Sequence, residues 1–130
     1  MNSYVADTHA LYWYLTNSPL LGKQASIAFD EGDQGRARIY LPAIVLAELY
    51  FLNKKYGQPL DFNATFSWIQ ACPQFIFVSF DTEDVLEFDA NVAAKEMHDR
   101  MIIGVAKRLG VSCLTCDKNI VDSNLASIVW

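Results

Sequence analysis

The chain has 130 residues, of which 52% are hydrophobic, and its formal net charge is -5. This length and composition exclude a disordered segment and favour one domain, residues 1–130, around one core. The negative charge argues against a general nucleic-acid binder, although a bound divalent cation would offset clustered carboxylates locally.

The chain has no run of about 18 uncharged apolar residues, so we expect no membrane span. Its amino terminus has neither a basic region nor a cleavage site, and its 3 cysteines do not form a disulfide framework. We therefore expect a cytoplasmic protein with reduced cysteines. Cys113 and Cys116 form a C-x-x-C motif in a predicted strand, where core packing is favoured over a metal or redox role.

Strands alternate with helices along the chain. The first half predicts a strand over Ser3–Ala6, helices over Thr8–Leu15 and Gly22–Phe29, a polar turn over 31–35, a strand over Arg36–Leu41 and a helix over Ala43–Tyr56. The second half predicts helices over Phe62–Ala71, Asp81–Ala94 and Asp99–Leu109, strands over Phe75–Phe80, 111–117 and Ser127–Trp130, and a turn or short helix over Ile120–Leu125. This alternation predicts an α/β domain with a largely parallel sheet of four or five strands and helices on both faces.

The segment from Asp99 to Asp117 indicates where a functional site would lie. Its apolar helix face consists of Ile102, Ile103, Ala106 and Leu109, and Asp99 heads that face. Gly110 suits the position just past the helix end. A helix that starts with an acid and leads into a strand closed by an acid brings both carboxylates to the same sheet edge.

Two further acids occupy equivalent places: Asp7 closes the first strand, and Glu48 lies on the apolar stripe of a helix. Each of the four acids also has a structural interpretation, since Asp7 and Asp99 could cap helices, Asp117 could be a turn residue and Glu48 could be structural. Asp81 is left out as a simple cap.

Four oxygen donors without a His or Cys cluster suit Mg²⁺ or Mn²⁺. One or two such ions could activate water for attack on a phosphodiester. His9 and His98 are interpreted as packing or supporting side chains. The basic residues that could line a groove for the substrate are Arg36, Arg38, Lys54, Lys55 and Arg100.

Four segments together resemble the motifs of PIN domains, in particular the VapC-type toxins of bacterial toxin-antitoxin modules. They are Val5–Trp13, Leu46–Leu49, His98–Ile103 and Leu114–Asp117, and the resemblance extends from Tyr4 to Trp130. It implies a PIN fold and a Mg²⁺- or Mn²⁺-dependent endoribonuclease that acts on RNA. The positions that match the family's metal-binding acids are Asp7, Glu48, Asp99 and Asp117, with Thr8, Thr115 and Arg100 as auxiliary residues.

The resemblance also implies a homodimer that a cognate antitoxin covers. Large apolar side chains in the first half exceed what a small domain can bury, so some should be exposed. They are Tyr12, Trp13, Tyr14, Leu20, Leu21, Tyr50, Phe51 and Trp68.

Two other functions belong to different classes. A phosphatase that forms an aspartyl-phosphate would need a second acid two residues after Asp7, where His9 stands. A non-catalytic interaction module on the PIN fold, with a structural cation site, stays open as the alternative. Many relatives carry a further acid where this chain has Asn119, which leaves the number of metal ions open.

Overall fold

Five parallel strands form one sheet in the computed structural model, which describes residues 1–130. They are β1 (Asn2–Ala6), β2 (Ala37–Pro42), β3 (Phe75–Val78), β4 (Ser112–Leu114) and β5 (Ile128–Val129). Their order is β3-β2-β1-β4-β5, and every neighbouring pair is parallel. The predicted α/β domain with a parallel sheet is therefore confirmed.

Six α-helices connect and cover the strands: α1 (Thr8–Leu15), α2 (Lys23–Asp33), α3 (Ala43–Lys55), α4 (Phe62–Ala71), α5 (Met97–Leu109) and α6 (Lys118–Ser123). The chain runs outward from β1 through β2 to β3, then crosses to β4 and runs outward the other way to β5. Right-handed crossovers in opposite directions place helices on both faces of the sheet. They also create a switch point between β1 and β4, where open parallel sheets bind ligands.

The core lies between the sheet and these helices. β2 alternates between buried and more exposed residues along most of its length, and Val5 of β1 and Ile39 and Leu41 of β2 are fully buried. The helices contribute the other large, fully buried side chains: Leu11, Phe29, Val45, Leu49, Ile69, Ile103 and Ile120. These contacts fix the carboxyl ends of β1 and β4 relative to α3 and α5.

Helix α2 extends through part of the segment predicted to be a polar turn. It ends at Asp33 rather than at Phe29, and Gly32 lies buried inside it. A Cβ at Gly32 would lie 3.4 Å from the Ile39 side chain and 3.4 Å from that of Gln74. The glycine is therefore present for close packing of α2 on the sheet rather than to end the helix.

The helix predicted over Asp81–Ala94 is wrong. The segment forms two 3₁₀ turns, Thr82–Glu87 and Asp89–Asn91, and the first of these buries no residue. Leu86 is 82% exposed. A longer α-helix needs an apolar face packed on the core, and this segment has none.

Of the two C-x-x-C cysteines, Cys113 is buried in β4, whereas Cys116 is exposed beyond the end of that strand. Core packing is thus confirmed for Cys113 only. All 3 cysteines are free. No helix is both long enough and apolar enough to cross a bilayer.

Candidate active site

The four predicted acids line a single cleft at the carboxyl edge of the sheet. The cleft has a volume of about 450 Å³ and contains Asp7, Glu48, Asp99 and Asp117 among its lining residues. Thr8, His9, Phe51, Lys55, Glu96 and His98 also line it. Asp7 follows β1, and Asp117 follows β4 by three residues, so the cleft opens at the switch point of the topology.

Asp7 is both a helix cap and a wall of the cleft. Its Oδ1 accepts a hydrogen bond from the Ala10 N–H at 2.9 Å, which caps α1, and its Oδ2 accepts one from the Thr115 hydroxyl. Burial raises the pKa of the Asp7 carboxyl, while these two hydrogen bonds oppose the increase. The capping interpretation and the site interpretation therefore apply to different oxygens of the same carboxylate.

Glu48 projects from α3 and is less buried than the sequence predicts. Its side chain is 33% exposed, Oε1 accepts a hydrogen bond from the Thr8 hydroxyl at 2.9 Å, and Oε2 lies 3.1 Å from His98 Nδ1. The expectation of a buried carboxylate on the apolar stripe is wrong, because that face of α3 opens into the cleft. Thr8 and His98 hold Glu48 from two sides.

Asp99 differs from the other three acids because its carboxylate accepts no hydrogen bond. It lies in the first turn of α5, which begins at Met97, and the N-cap is Glu96, so Asp99 is not the helix cap. The residue is 6% exposed, and its Oδ2 is buried without a hydrogen-bond partner. Burial is the main cause that raises the pKa of Asp99 to about 6, and the neighbouring charges of Asp117, Glu96, Glu48 and Asp7 contribute to this increase.

Asp117 lines the cleft and lies next to Thr115. Its Oδ1 accepts a hydrogen bond from the Asn119 N–H at 2.8 Å and caps α6. The Asp117 N–H donates to the Thr115 hydroxyl at 2.9 Å, and that hydroxyl donates to Asp7. Thr115 thus connects the two acids that follow β1 and β4.

The donor set fits a hard cation, although the acids are not gathered around one point. The structure contains no group of three or more His, Cys, Asp or Glu side chains already arranged to hold a metal ion. The unpartnered, buried Oδ2 of Asp99 is nevertheless the feature that a cation would satisfy. Carboxylate oxygens are also the ligands that Mg²⁺ and Mn²⁺ prefer.

Most of the predicted basic residues lie outside the cleft. Arg36 precedes β2, and Arg38 pairs in register with Ser3 of β1, so both lie toward the amino ends of the strands. Lys54 lies over the Tyr50 ring, 4.9 Å from its centroid. Among the four predicted groove residues of the first half, only Lys55 lines the cleft.

Arg100 also turns away from the acids. Its Nε donates to the Ala94 carbonyl at 2.6 Å and its Nη1 to the Phe88 carbonyl at 3.4 Å. These bonds anchor the 3₁₀ region to α5. The structure therefore gives Arg100 a role in holding the chain that enters the site.

Several cleft residues are absent from the predicted site, among them Phe51, Glu96 and His98. Glu96 is a fifth acid at the cleft, and its position three residues before Asp99 was a usable signal. His98 had been interpreted as a packing or supporting residue, and its contact with Glu48 agrees with support. Glu48 and His98 are 50 residues apart in sequence, so the sequence does not indicate this contact.

The fold and the acidic cleft define an open parallel α/β domain with a ligand site at its carboxyl edge. The family model described as PIN domain matches residues 4–123. The chain belongs to the PIN domain family, as the resemblance of its motifs predicted. No curated protein matches the chain.

Several solved structures share the fold. VapBC2 from Rickettsia felis, bound to a DNA fragment from their promoter, superposes with a TM-score of 0.70 and 12% identity over 97% of this chain and 96% of that one. FitAcB from Neisseria gonorrhoeae gives a TM-score of 0.67 and 18% identity over 96% and 95%. PAE2754 from Pyrobaculum aerophilum gives a TM-score of 0.65 and 14% identity over 98% of this chain and 83% of that one. At these identities the likeness concerns the fold alone.

Proposed function

We propose that this chain is a Mg²⁺- or Mn²⁺-dependent endoribonuclease, the toxin of a toxin-antitoxin pair. The single observation that supports it most is the convergence of Asp7, Glu48, Asp99 and Asp117 on one cleft, with a buried Asp99 oxygen that lacks a partner. Membership of the PIN domain family agrees with a nuclease.

The four acids would hold the cation, and the side chains around them would orient the acids. When bound, a divalent ion supplies charge stabilisation for the phosphate and eases deprotonation of the attacking water. Thr8 and His98 fix Glu48, and Thr115 fixes Asp7, each through a hydrogen bond. Because the acids are not already arranged around one point, we expect some of these side chains to rotate when an ion binds.

RNA cleavage in the presence and absence of divalent cation tests the proposal. We expect wild-type protein to cut single-stranded RNA with Mn²⁺ or Mg²⁺ and not with EDTA. Asp99→Asn should lose at least about a hundredfold in rate while it stays folded, because the ion loses a ligand. An Asp99→Asn protein that cuts as fast as wild type would contradict the site.

The alternative, a non-catalytic module with a structural cation site, makes a different prediction in the same experiment. Such a protein would gain thermal stability from Mn²⁺ and would cut no RNA under any condition. Asp30→Asn is the matched control, because Asp30 is an exposed acid of α2 that does not line the cleft.

The toxin part of the proposal rests on the fold relatives and on exposed apolar surface. VapBC2 and FitAcB are both similar in fold over almost the whole chain. Leu20, Tyr50, Phe51 and Trp68 are exposed, as predicted, whereas Tyr12 is buried and Trp13, Tyr14 and Leu21 are partly buried. We propose that the surface with Leu20, Tyr50 and Trp68 serves a homodimer and a cognate antitoxin. Co-expression with the product of the adjacent reading frame, followed by co-purification, tests the antitoxin.

A further inference from the structure

An exposed aromatic ring stands beside the acids. Phe51 lines the cleft from α3 and is 69% exposed. Its one aromatic neighbour is Tyr50, 5.2 Å away between ring centroids and perpendicular to it, so Tyr50 covers at most one face of the Phe51 ring. An apolar ring left this open at a polar cleft is suited to contact a flat ligand.

Phe51 belongs to a stripe of α3 that runs from the acids to a cation. Glu48, Phe51 and Lys55 follow one another at spacings of three and four residues, which places them on one helix face. With a rise of about 1.5 Å per residue, Phe51 lies about 4.5 Å and Lys55 about 10 Å along the axis from Glu48. The stripe therefore presents an acid, an aromatic ring and an ammonium group in sequence along the cleft.

The Lys55 ammonium is available to a ligand. The structure has two ion pairs, His98 with Glu48 and Arg108 with Asp84, and neither involves Lys55. Its Nζ lies 5.6 Å from the centroid of the Tyr56 ring and donates to no carboxylate. Lys55 is also the one lysine or arginine that lines the cleft.

We infer that Phe51 stacks on an unpaired base of the RNA substrate while Lys55 contacts a backbone phosphate of that strand. This inference rests on the proposed ribonuclease function and names the residues that select the form of the RNA. A base within a duplex has both faces covered by its neighbours, so only an unpaired or splayed base can stack on the ring. Phe51 is thus a specificity-determining residue for single-stranded RNA.

RNA rather than a protein segment is the favoured occupant because of the charges on this stripe. A peptide with only apolar side chains that covered Phe51 would gain apolar contact but would leave Lys55 without an anion. A nucleotide offers a flat ring and a phosphate together, and base stacking on aromatic side chains tolerates any base.

The inference can be tested without cleavage by using the Asp99→Asn protein. Its binding of a short unstructured RNA is measured by fluorescence anisotropy with Mn²⁺ present. Stacking strength predicts that Phe51→Ala weakens binding about tenfold. Phe51→Leu, which is apolar but not flat, should lose nearly as much, and Phe51→Tyr should keep wild-type affinity. Affinity for the same RNA annealed into a duplex should not change.

The lysine has a matched control on the same helix. Lys55→Ala should weaken single-strand binding and reduce its salt dependence by about one phosphate contact. Lys54→Ala removes the same charge from a side chain that lies over Tyr50 and outside the cleft, and should have little effect.

Two results would overturn the inference. The first is that Phe51→Ala and Phe51→Leu bind the single-stranded RNA as tightly as the protein that keeps Phe51, and the second is that no RNA binding is measurable at all. The first would assign the exposed ring to a protein contact instead. Cleavage by the Asp99 protein is measured in parallel. If the protein with Asp99 cleaves RNA but the Phe51 variants bind RNA as tightly as the protein with Phe51, only this inference is overturned. If RNA binding depends on Phe51 but no RNA is cleaved, only the proposed catalytic function is overturned.

Discussion

Asp99 combines burial, an unpartnered oxygen and four acidic neighbours. Burial is the main cause of its raised pKa of about 6, and repulsion by Asp117, Glu96, Glu48 and Asp7 adds to it. The sequence predicts clustered acids, but its periodicity does not indicate how deeply the first turn of a helix is buried. The cleft thus contains a carboxyl that favours its protonated form more than an exposed acid does.

This shift predicts how stability depends on pH without divalent cation. The folded pKa of Asp99, about 6, exceeds the ordinary value of 3.8 for an aspartate, so the folded state binds more protons between these values. The contribution of Asp99 to stability should therefore fall as pH rises from about 4 to about 6. Asp99→Asn should match wild type near the lower value and exceed it above the upper one, measured by urea unfolding in EDTA. A difference independent of pH would contradict the assignment; Asp30→Asn is the control.

Glu48 leads to a second prediction at this scale. Because the side chain is 33% exposed, Glu48→Gln should change the free energy of unfolding by less than about 1 kcal/mol while it abolishes RNA cleavage. Chemical unfolding without metal checks the first part and a cleavage assay the second. A strongly destabilised variant would make Glu48 a structural residue.

His98 is predicted to position Glu48 for the ion. Removal of a side chain that orients a metal ligand typically costs about 10- to 100-fold in metal affinity or activity, and we expect this of His98→Ala. The measurement is the Mn²⁺ dissociation constant, which a merely structural role would leave unchanged. Unaltered Mn²⁺ affinity would show that the contact at 3.1 Å does not orient the acid.

At the scale of elements, Asn53 holds the connection between α3 and α4. The residue is 2% exposed, and its side chain donates to the Leu60 carbonyl at 2.9 Å and accepts from the Leu60 N–H at 3.0 Å. Asn53→Ala leaves two partly buried backbone groups of Leu60 unpaired, so we expect a loss of about 2 kcal/mol in urea unfolding. Asn63→Ala, at an exposed position of α4, should cost much less. Equal losses would contradict this role.

Local signals determined how well each element could be predicted. The bounds of α1 and α4 agree with the sequence because Asp7 and Asp61 cap them and breaks follow at Asn17 and Cys72. Gly110 ends α5 in the left-handed conformation, at φ 66°, as expected. The end of α2 was missed because Gly32 serves packing against β2, which only the tertiary structure reveals.

The same reasoning explains what could be predicted of the site. Strand ends and helix starts placed Asp7, Asp99 and Asp117 at one edge, since topology alone determines which ends meet. Side-chain direction is a different matter. Arg100 points toward Ala94 and Phe88, and Arg36 lies at the far ends of the strands, neither of which charge or spacing indicates.

For the whole molecule, exposed apolar side chains predict self-association. Leu20 is 64% exposed, Leu86 is 82% exposed, and Trp68 is also exposed. Sedimentation velocity should show a dimer at micromolar concentration that Trp68→Lys or Leu86→Lys weakens. The dimer would be contradicted if the wild-type protein and both variants sediment as monomers at high micromolar concentration.

The central claim is that Asp7, Glu48, Asp99 and Asp117 act as one cation site, and Mn²⁺ titration by calorimetry tests it most directly. Wild-type protein should bind Mn²⁺ and gain melting temperature by mass action. Each single substitution of the four acids by its amide should weaken binding by about tenfold or more, whereas Asp30→Asn should bind as wild type does. If the four variants bind Mn²⁺ like wild type, the carboxylates do not form one site and the nuclease proposal fails.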